Sequence, residues 1–270
     1  MQPPGAGPPQ IQMPNVKHVL AIASGKGGVG KSTVSTNLAL ALHMQGRRVG
    51  LMDADIYGPS IPIMLGLHVE AATADPVEKF GLKVMSMGFV LGPGQAAVLR
   101  GPMIHKYLTA FLTQVRWGEL DYLLVDLPPG TGDAQLSLSQ TAPLSGAITV
   151  VTPQDVTLTV ARRGMEMFRQ VRVPLLGIVE NMSYFVGDDG KRYDLFGHGG
   201  GQKLAAAAGV PFLGEIPIDP RVSACGDAGD PIVHKHPDSP VAKAYLALAT
   251  SVSQALQQAN RPEELPGLQL

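Results

Sequence analysis

The sequence predicts an α/β fold in which a mostly parallel sheet carries helices on both faces, giving three layers. Short apolar runs of the kind that a sheet buries on both faces recur along the chain. They alternate with segments of helical periodicity, and a glycine-rich segment joins the first apolar run to the first helical one. Strands that alternate with helices form parallel sheets through right-handed crossovers, so we expect one domain over residues 16–260.

The composition fits one large domain and excludes several classes of protein. Of the 270 residues, 45% are hydrophobic, which is ample for a core. The 21 basic residues nearly balance the 22 acidic ones, so we expect no general attraction to nucleic acid or to an anionic membrane. No apolar stretch is long enough to span a bilayer, and there is no N-terminal secretory pattern. Because Cys225 is the only cysteine, no intrachain disulfide forms, which fits a cytoplasmic protein.

The two ends of the chain are predicted to lie outside this domain. Residues 1–15 contain five prolines and few apolar side chains, a composition typical of a disordered tail. Residues 261–270 are predicted to form a flexible C-terminal tail.

The glycine-rich segment follows the predicted strand over residues 19–23 and carries the strongest functional signal. From Gly25 to Ser32 it fits G-x-x-x-x-G-K-S/T, the loop whose backbone amides surround a phosphate chain. Glycines let that backbone approach the phosphates, and the next helix offers its unpaired amides to the same anion. Lys31 would then reach the β- and γ-phosphates of ATP, and the Ser32 hydroxyl would bind Mg²⁺. The candidate nucleotide-binding residues of the loop are Gly25, Lys26, Gly27, Gly28, Val29, Gly30, Lys31, Ser32 and Thr33.

A different nucleotide site is compatible with the same glycines. They also fit G-x-G-x-x-G, and Asp53 follows the loop by about 20 residues, as a ribose-binding acid does in dinucleotide-binding folds. That interpretation leaves Lys31, Ser32 and a second strand-end acid, Asp126, unexplained. A purely structural glycine-rich turn is the third possibility.

Three acidic residues follow predicted buried strands. Asp53 and Asp55 come after the strand over residues 48–52, and Asp126 ends the apolar run over residues 122–125. Ligands of open α/β sheets bind at the carboxyl ends of the strands. We therefore expect Asp126 and Asp53 to hold Mg²⁺ and Asp55 to orient the attacking water. The alternatives are a solvated turn for Asp53 and Asp55 and a helix cap for Asp126.

The later chain gives weaker signals. Asn181, just past the predicted strand over residues 175–179, is placed to hydrogen-bond a purine edge, although a strand-end turn explains it almost as well. Trp117 is expected to pack in the core. The acids within residues 187–190 are expected to be solvated in a tight turn, and an apolar stripe over residues 241–256 predicts a closing helix.

Several motifs together resemble a known family. Because Lys26 directly follows the first glycine, the loop resembles the deviant Walker A class that includes the MinD and ParA ATPases and the nitrogenase iron protein. Within this class the chain resembles the Mrp/ApbC iron-sulfur cluster carriers over about residues 16–250. The motifs that carry the resemblance are residues 53–60 (DADIYGPS), 100–103 (RGPM), 126–133 (DLPPGTGD), 180–183 (ENMS) and 196–197 (FG).

The resemblance implies a homodimer that binds and slowly hydrolyses ATP at two interfacial sites. It implies that Lys26 reaches across to the partner's nucleotide as a catalytic residue, beside Lys31 and Asp55. It also implies transfer of [4Fe-4S] clusters to apo iron-sulfur acceptor proteins or assembly factors.

The chain departs from this family at its cluster ligands. The family usually presents Cys-x-x-Cys where this chain has residues 187–190 (GDDG), and carboxylates are poor replacements for thiolates. Cys225 is expected to be a small buried residue, so the iron-sulfur ligands are left unassigned. The alternative function is therefore an ATP-gated dimeric switch or binding protein that has lost the cluster.

Overall fold

The computed structural model describes residues 11–69, 73–90, 101–130 and 133–260. The strands are β1 (Val16–Ser24), β2 (Val49–Asp53), β3 (Val77–Lys79), β4 (Leu82–Ser86), β5 (Leu120–Asp126), β6 (Gly146–Val151), β7 (Leu175–Val186), β8 (Arg192–Tyr193) and β9 (Phe212–Ile218). The helices are α1 (Lys31–Met44), α2 (Ile61–Met64), α3 (Met87–Val90), α4 (Gly101–Thr113), α5 (Asp133–Thr141), α6 (Asp155–Gln170), α7 (Gly200–Ala208), α8 (Pro220–Asp227), α9 (Ile232–Lys235) and α10 (Pro240–Ala259).

The strands form one sheet in the order β3-β4-β2-β5-β1-β6-β7-β8, with β9 also paired to β7. Pairing is parallel throughout except for β3 with β4 and β8 with β7. The predicted mostly parallel sheet is thereby confirmed. Because β1, β2, β5, β6 and β7 run parallel, their carboxyl ends meet at one edge of the sheet, where such folds bind ligands.

Helices cover both faces of the sheet, as predicted. Helix α1 packs with α10 over β1, β2 and β5, and α10 also contacts β7 and β9. Helix α6 packs with α7 over β6 and β7, on the opposite face because its crossover runs in the opposite direction along the sheet. The stripe predicted for the last helix is buried at Val241, Tyr245, Leu248, Val252 and Leu256. None of the described helices combines the length and the apolar character that crossing a bilayer requires.

Strand β7 is longer than predicted. Its apolar run was expected to stop at residue 179, but β7 continues to Val186, so Asn181 lies inside the strand. The continuation follows a change of backbone direction at Met182, which has a φ of 54°, and the register with β9 shifts between Asn181 and Phe185. Trp117 packs in the core as expected, with 3% of its surface exposed.

The N-terminal boundary differs slightly from the expected one. Residues 11–15 were assigned to the disordered tail, yet the Ile11 amide donates to the Thr141 carbonyl at 3.1 Å and Met13 packs against the core. Ile11 packs against the core as well, so these two apolar side chains hold the segment on the domain. Residues 1–10 and 261–270 lie outside the described residues, so the expectation of flexible tails there stays a prediction.

Candidate nucleotide-binding site

The loop between β1 and α1 ends on a glycine that no other residue can replace without strain. Gly30 adopts a left-handed conformation with φ of 78°, and an added Cβ there would lie 2.3 Å from Nδ2 of Asn181. No side chain of the described residues caps the helix that begins at Lys31. The first amides of α1 are therefore available to an anion.

Two other glycines of the loop are required for different reasons. A Cβ on Gly25 would meet the backbone nitrogen of Ala161 in α6 at 2.6 Å, so this glycine permits close packing of the loop on the helix. A Cβ on Gly27 would meet no atom of the described residues within 4 Å. Packing within the chain therefore does not explain Gly27, whereas close approach of a phosphate does.

Lys31 and Ser32 converge on the strand-end acid Asp126. Lys31 Nζ lies 2.7 Å from Asp126 Oδ2, and the Ser32 hydroxyl donates to the same oxygen at 2.6 Å. The side chain of Lys31 is 6% exposed and that of Asp126 is fully buried. A buried ion pair of this kind is costly to desolvate, so its position directly beneath a glycine-rich loop favours a functional role over a structural one.

Ser35 is part of this cluster, although the sequence analysis did not identify it. Its hydroxyl donates to Asp126 Oδ1 at 2.6 Å, so both carboxylate oxygens are held. A signal for it was present, because Ser35 lies four residues after Lys31 and residues at that spacing share one helix face.

Asp53 is buried beside Asp126 on the neighbouring strand, where the two residues are register partners. Its carboxylate accepts hydrogen bonds from the Ser86 hydroxyl at 2.9 Å and from the Ile61 amide at 3.3 Å. Burial, reinforced by the charge of Asp126, raises the pKa of Asp53 to about 7. A buried carboxyl group with a raised pKa beside a second buried carboxylate is typical of a functional site.

Asp55 and Lys26 both line a cavity of about 220 Å³, which Gly27, Lys31 and Ser32 also line. Asp55 Oδ1 accepts hydrogen bonds from the amides of residues 57 and 58, both at 3.3 Å, which fixes its carboxylate at the cavity wall. No ion pair engages Lys26 in the part of the chain that the structure describes. Most of the predicted loop and Asp55 line this cavity, whereas Asp53 and Asp126 are buried and do not line it. Asp126 is connected to the cavity through Lys31 and Ser32.

A larger cavity of about 640 Å³ adjoins the loop at Gly30 and has mostly apolar walls. Asn181 lies on its wall, with Nδ2 donating to the Val29 carbonyl at 2.9 Å. This side chain therefore holds the loop, a role that the sequence analysis missed because the two residues are far apart in the chain. Its predicted contact with a purine stays a prediction.

The sequence model of one family, described as ParA and as the NUBPL iron-transfer P-loop NTPases, matches residues 15–253. The chain belongs to this family. Its P-loop is the segment from Gly25 to Ser32, and the resemblance inferred from the motifs is confirmed.

Curated relatives of the family are similar over nearly the whole chain. The iron-sulfur cluster carrier protein of Aquifex aeolicus is 51% identical over 254 residues, which cover 91% of this chain and 70% of that protein. The iron-sulfur cluster carrier protein of Deinococcus radiodurans is 50% identical over 269 residues, covering 96% of this chain and 76% of that protein.

Solved structures support the same assignment. A nucleotide-binding protein from Archaeoglobus fulgidus, in complex with ADP, is 41% identical with a TM-score of 0.74, covering 86% of this chain and 93% of that one. The cell division ATPase MinD of Pyrococcus furiosus is 22% identical with a TM-score of 0.70, covering 88% of this chain and 99% of that one, and shows a shared fold.

The hairpin between β7 and β8 offers no ligand set for an iron-sulfur cluster. Asp189 accepts from the Lys191 amide at 3.0 Å and from the Tyr193 hydroxyl at 2.9 Å, so it closes its own turn. Cys225 is 3% exposed, and burial raises the pKa of its thiol. Among the described residues, no group of three His, Cys, Asp or Glu side chains is arranged to hold a metal ion. Clusters require thiolates, and this hairpin has none.

Proposed function

We propose that this P-loop NTPase binds and hydrolyses Mg²⁺–ATP in the cavity above Asp126 and works as a homodimeric iron-sulfur cluster carrier. The observation that carries the ATPase part is the buried cluster of Lys31, Ser32 and Asp126 beside a helix N-terminus that no described side chain caps. The carrier part is supported by the family, whose relatives include proteins named iron-sulfur cluster carriers. The cluster is cargo that would pass to apo acceptor proteins.

The loop amides and Lys31 would bind the phosphate chain. Gly27 and Gly28 expose backbone at the cavity, and Lys31 Nζ is fixed there by Asp126. These donors would stabilise the charge that spreads over the γ-phosphoryl group as the bond to ADP breaks.

The residues present fit Mg²⁺, because a hydroxyl and a carboxylate are the hard oxygen donors that this ion prefers. Ser32 and Asp126 would hold it, with Asp53 behind them. Bound Mg²⁺ neutralises phosphate charge. Asp55, held by its own turn at the cavity wall, would orient the water that attacks the γ-phosphoryl group.

Lys26 is proposed to act on the nucleotide of the second subunit. It lines the cavity yet has no ion pair within the described residues, so it is available to an anion. Lys26→Ala is therefore expected to lower ATP turnover while leaving Mg²⁺–ATP binding, measured by calorimetry, largely intact. Turnover equal to that of the wild type would contradict a shared site.

The nucleoside is proposed to occupy the larger cavity. This cavity meets the loop at Gly30, has the apolar walls typical of small-molecule sites, and contains Asn181 on its wall. The amide nitrogen of Asn181 is engaged by Val29, which leaves its carbonyl oxygen as the candidate acceptor from a purine amino group.

A second function is favoured by the hairpin without thiols. If no cluster binds, the same nucleotide site serves an ATP-gated dimeric binding protein. Anaerobic reconstitution with iron and sulfide, followed by metal and sulfide analysis and by transfer to an apo acceptor, separates the two. Cluster bound and transferred supports the carrier, whereas a colourless protein with intact Mg²⁺–ATP binding and ATPase activity supports the switch. Absence of calorimetric Mg²⁺–ATP binding would contradict both.

A further inference from the structure

A second groove lies between α6 and α7, outside the cavities assigned to the nucleotide. Its volume is about 580 Å³, within the range of binding sites for small ligands and short peptide segments. Apolar side chains from Leu158, Leu204 and Phe196 and basic ones from Arg162, His198 and Lys203 line it. We call it the α6–α7 groove.

Two of the three basic side chains of the groove, Arg162 and Lys203, lack acidic partners among the described residues, whereas His198 lies 3.6 Å from Asp194. No carboxylate is among its described lining residues, and neither Arg162 nor Lys203 forms an ion pair within the described part of the chain. Nearby arginines do form ion pairs. Arg169, on the same helix as Arg162, pairs with Glu166. Arg192 pairs with Asp194 and Glu215. The positive charge left at Arg162 and Lys203 therefore favours an anionic occupant.

The apolar part of the groove is also incompletely covered. Phe196 has 39% of its surface exposed, and Leu158 is only partly buried, whereas Leu204 is buried beneath them. A purely ionic ligand would leave this apolar surface in water. An occupant that combines carboxylates with an apolar side chain satisfies both features.

We propose that the α6–α7 groove binds an acidic segment of a partner protein, in which carboxylates flank one apolar side chain. The carboxylates would contact Arg162 and Lys203, and the apolar side chain would pack on Leu158 and Phe196. Phe196 also lines the larger cavity beside the P-loop, so the two sites share a wall. Binding of the acidic segment in the groove would not require ATP binding or hydrolysis at the P-loop.

The test uses a fluorescein-labelled peptide of the repeating sequence Glu-Glu-Leu, with a Gln-Gln-Leu peptide as control, and the full chain in fluorescence polarisation. The Glu peptide should bind and the Gln peptide should not. Arg162→Glu combined with Lys203→Glu should weaken binding of the Glu peptide by about tenfold or more. Arg163→Glu, the same change at an exposed neighbour on α6 that does not line the groove, should change it by less than about twofold.

Several outcomes would overturn the proposal. The proposal fails if the Glu peptide does not bind the wild type or if it binds the double variant as tightly as the wild type. It also fails if Arg163→Glu weakens binding of the Glu peptide as much as the double variant does. Binding of anionic lipid vesicles or single-stranded RNA through Arg162 and Lys203, without peptide binding, would also overturn it. Thermal melting confirms that the variants fold. Mg²⁺–ATP affinity, measured on the same samples, should be the same in all variants, and its absence from the wild type would reject the nucleotide proposal alone.

Discussion

The carboxylate that ends β5 in the P-loop region and the carboxylate that follows β7 in the β7–β8 hairpin have different surroundings. Asp126 is fully buried and is bonded by Lys31, Ser32 and Ser35, which come from another element. The side chain of Asp189 is 41% exposed and is satisfied within its own turn. The first carboxylate is buried and held by residues distant in sequence, which is typical of functional sites, whereas the hydrogen bonds of the second are made within its own turn.

The largest expected effect tests the buried pair. Lys31→Met should weaken Mg²⁺–ATP binding by about 100-fold or more, because a charge-assisted contact to phosphate is lost. It should also lower the free energy of unfolding by about 3 kcal/mol, since Asp126 is left buried without its cation. Calorimetry and urea denaturation measure the two effects.

A double variant separates the two effects of Lys31→Met. Adding Asp126→Asn removes the unpaired charge and should restore most of the stability, whereas ATP binding should stay lost. If the double variant recovered ATP binding as well as stability, Lys31 would have only a structural role. The P-loop region would then not differ in function from the β7–β8 hairpin.

Two glycines of the P-loop give the next largest effects. Gly25→Ala should lower the free energy of unfolding by about 1–3 kcal/mol, because the new methyl group meets the backbone of Ala161. Gly27→Ala should change stability by less than about 0.5 kcal/mol, since the added Cβ meets no atom within 4 Å in the described part of the chain. It should nevertheless weaken ATP binding by about tenfold, because that Cβ enters the phosphate cavity. Full ATP affinity in Gly27→Ala would argue against phosphate at this position.

The sequence predicts the parts of the site that are local in the chain. The loop, its helix and the acid that ends β5 were all identifiable because each motif joins a strand to the next element. The contacts of Ser86 with Asp53 and of Asn181 with Val29 join residues that are distant in sequence. Periodicity carries no information on such pairs, so only the packed sheet reveals them.

The length of β7 was missed for a related reason. Its apolar run breaks at Glu180, which suggests the end of a buried strand. Glu180 is nevertheless fully buried, because its carboxylate accepts hydrogen bonds from the Ser183 hydroxyl and from the amide of Gly201 in α7. Because a distant amide donates a hydrogen bond to Glu180, this polar residue can be buried within the strand. Hydrophobic patterning does not predict such a contact.

The pH dependence of stability tests the buried acids at a smaller scale. The pKa of Asp53 rises from 3.8 to about 7 on folding, so the folded chain holds a proton that the unfolded chain releases. Without nucleotide and Mg²⁺, this residue should make stability fall as the pH rises from about 4 to about 7, with no further loss above that. Asp53→Asn should flatten this part of the profile, measured by urea denaturation across pH.

Asp121 supplies a matched control with the opposite sign. Lys17 and Arg48 lower the pKa of this carboxyl group, so its contribution to stability is present above its ordinary pKa and disappears only in acid. Asp121→Asn should therefore lower stability evenly between about pH 5 and about pH 8. If the stability of Asp53→Asn still fell as the pH rose from about 4 to about 7, a group other than Asp53 would take up the proton on folding.

The smallest expected effect lies in the hairpin. Asp189→Ala removes the acceptor of the Lys191 amide and of the Tyr193 hydroxyl, so we expect a slight fall in melting temperature, below that of Gly25→Ala. Those two contacts lower the pKa of Asp189 from its ordinary 3.8, and the difference from the wild type should therefore vanish as the pH falls below that value. Mg²⁺–ATP affinity should not change, because no contact joins Asp189 to the P-loop cavity. A loss of ATP affinity in Asp189→Ala, with Asp188→Ala as the neighbouring control, would mean that the hairpin and the nucleotide site are coupled and that the exposed carboxylate has a function after all.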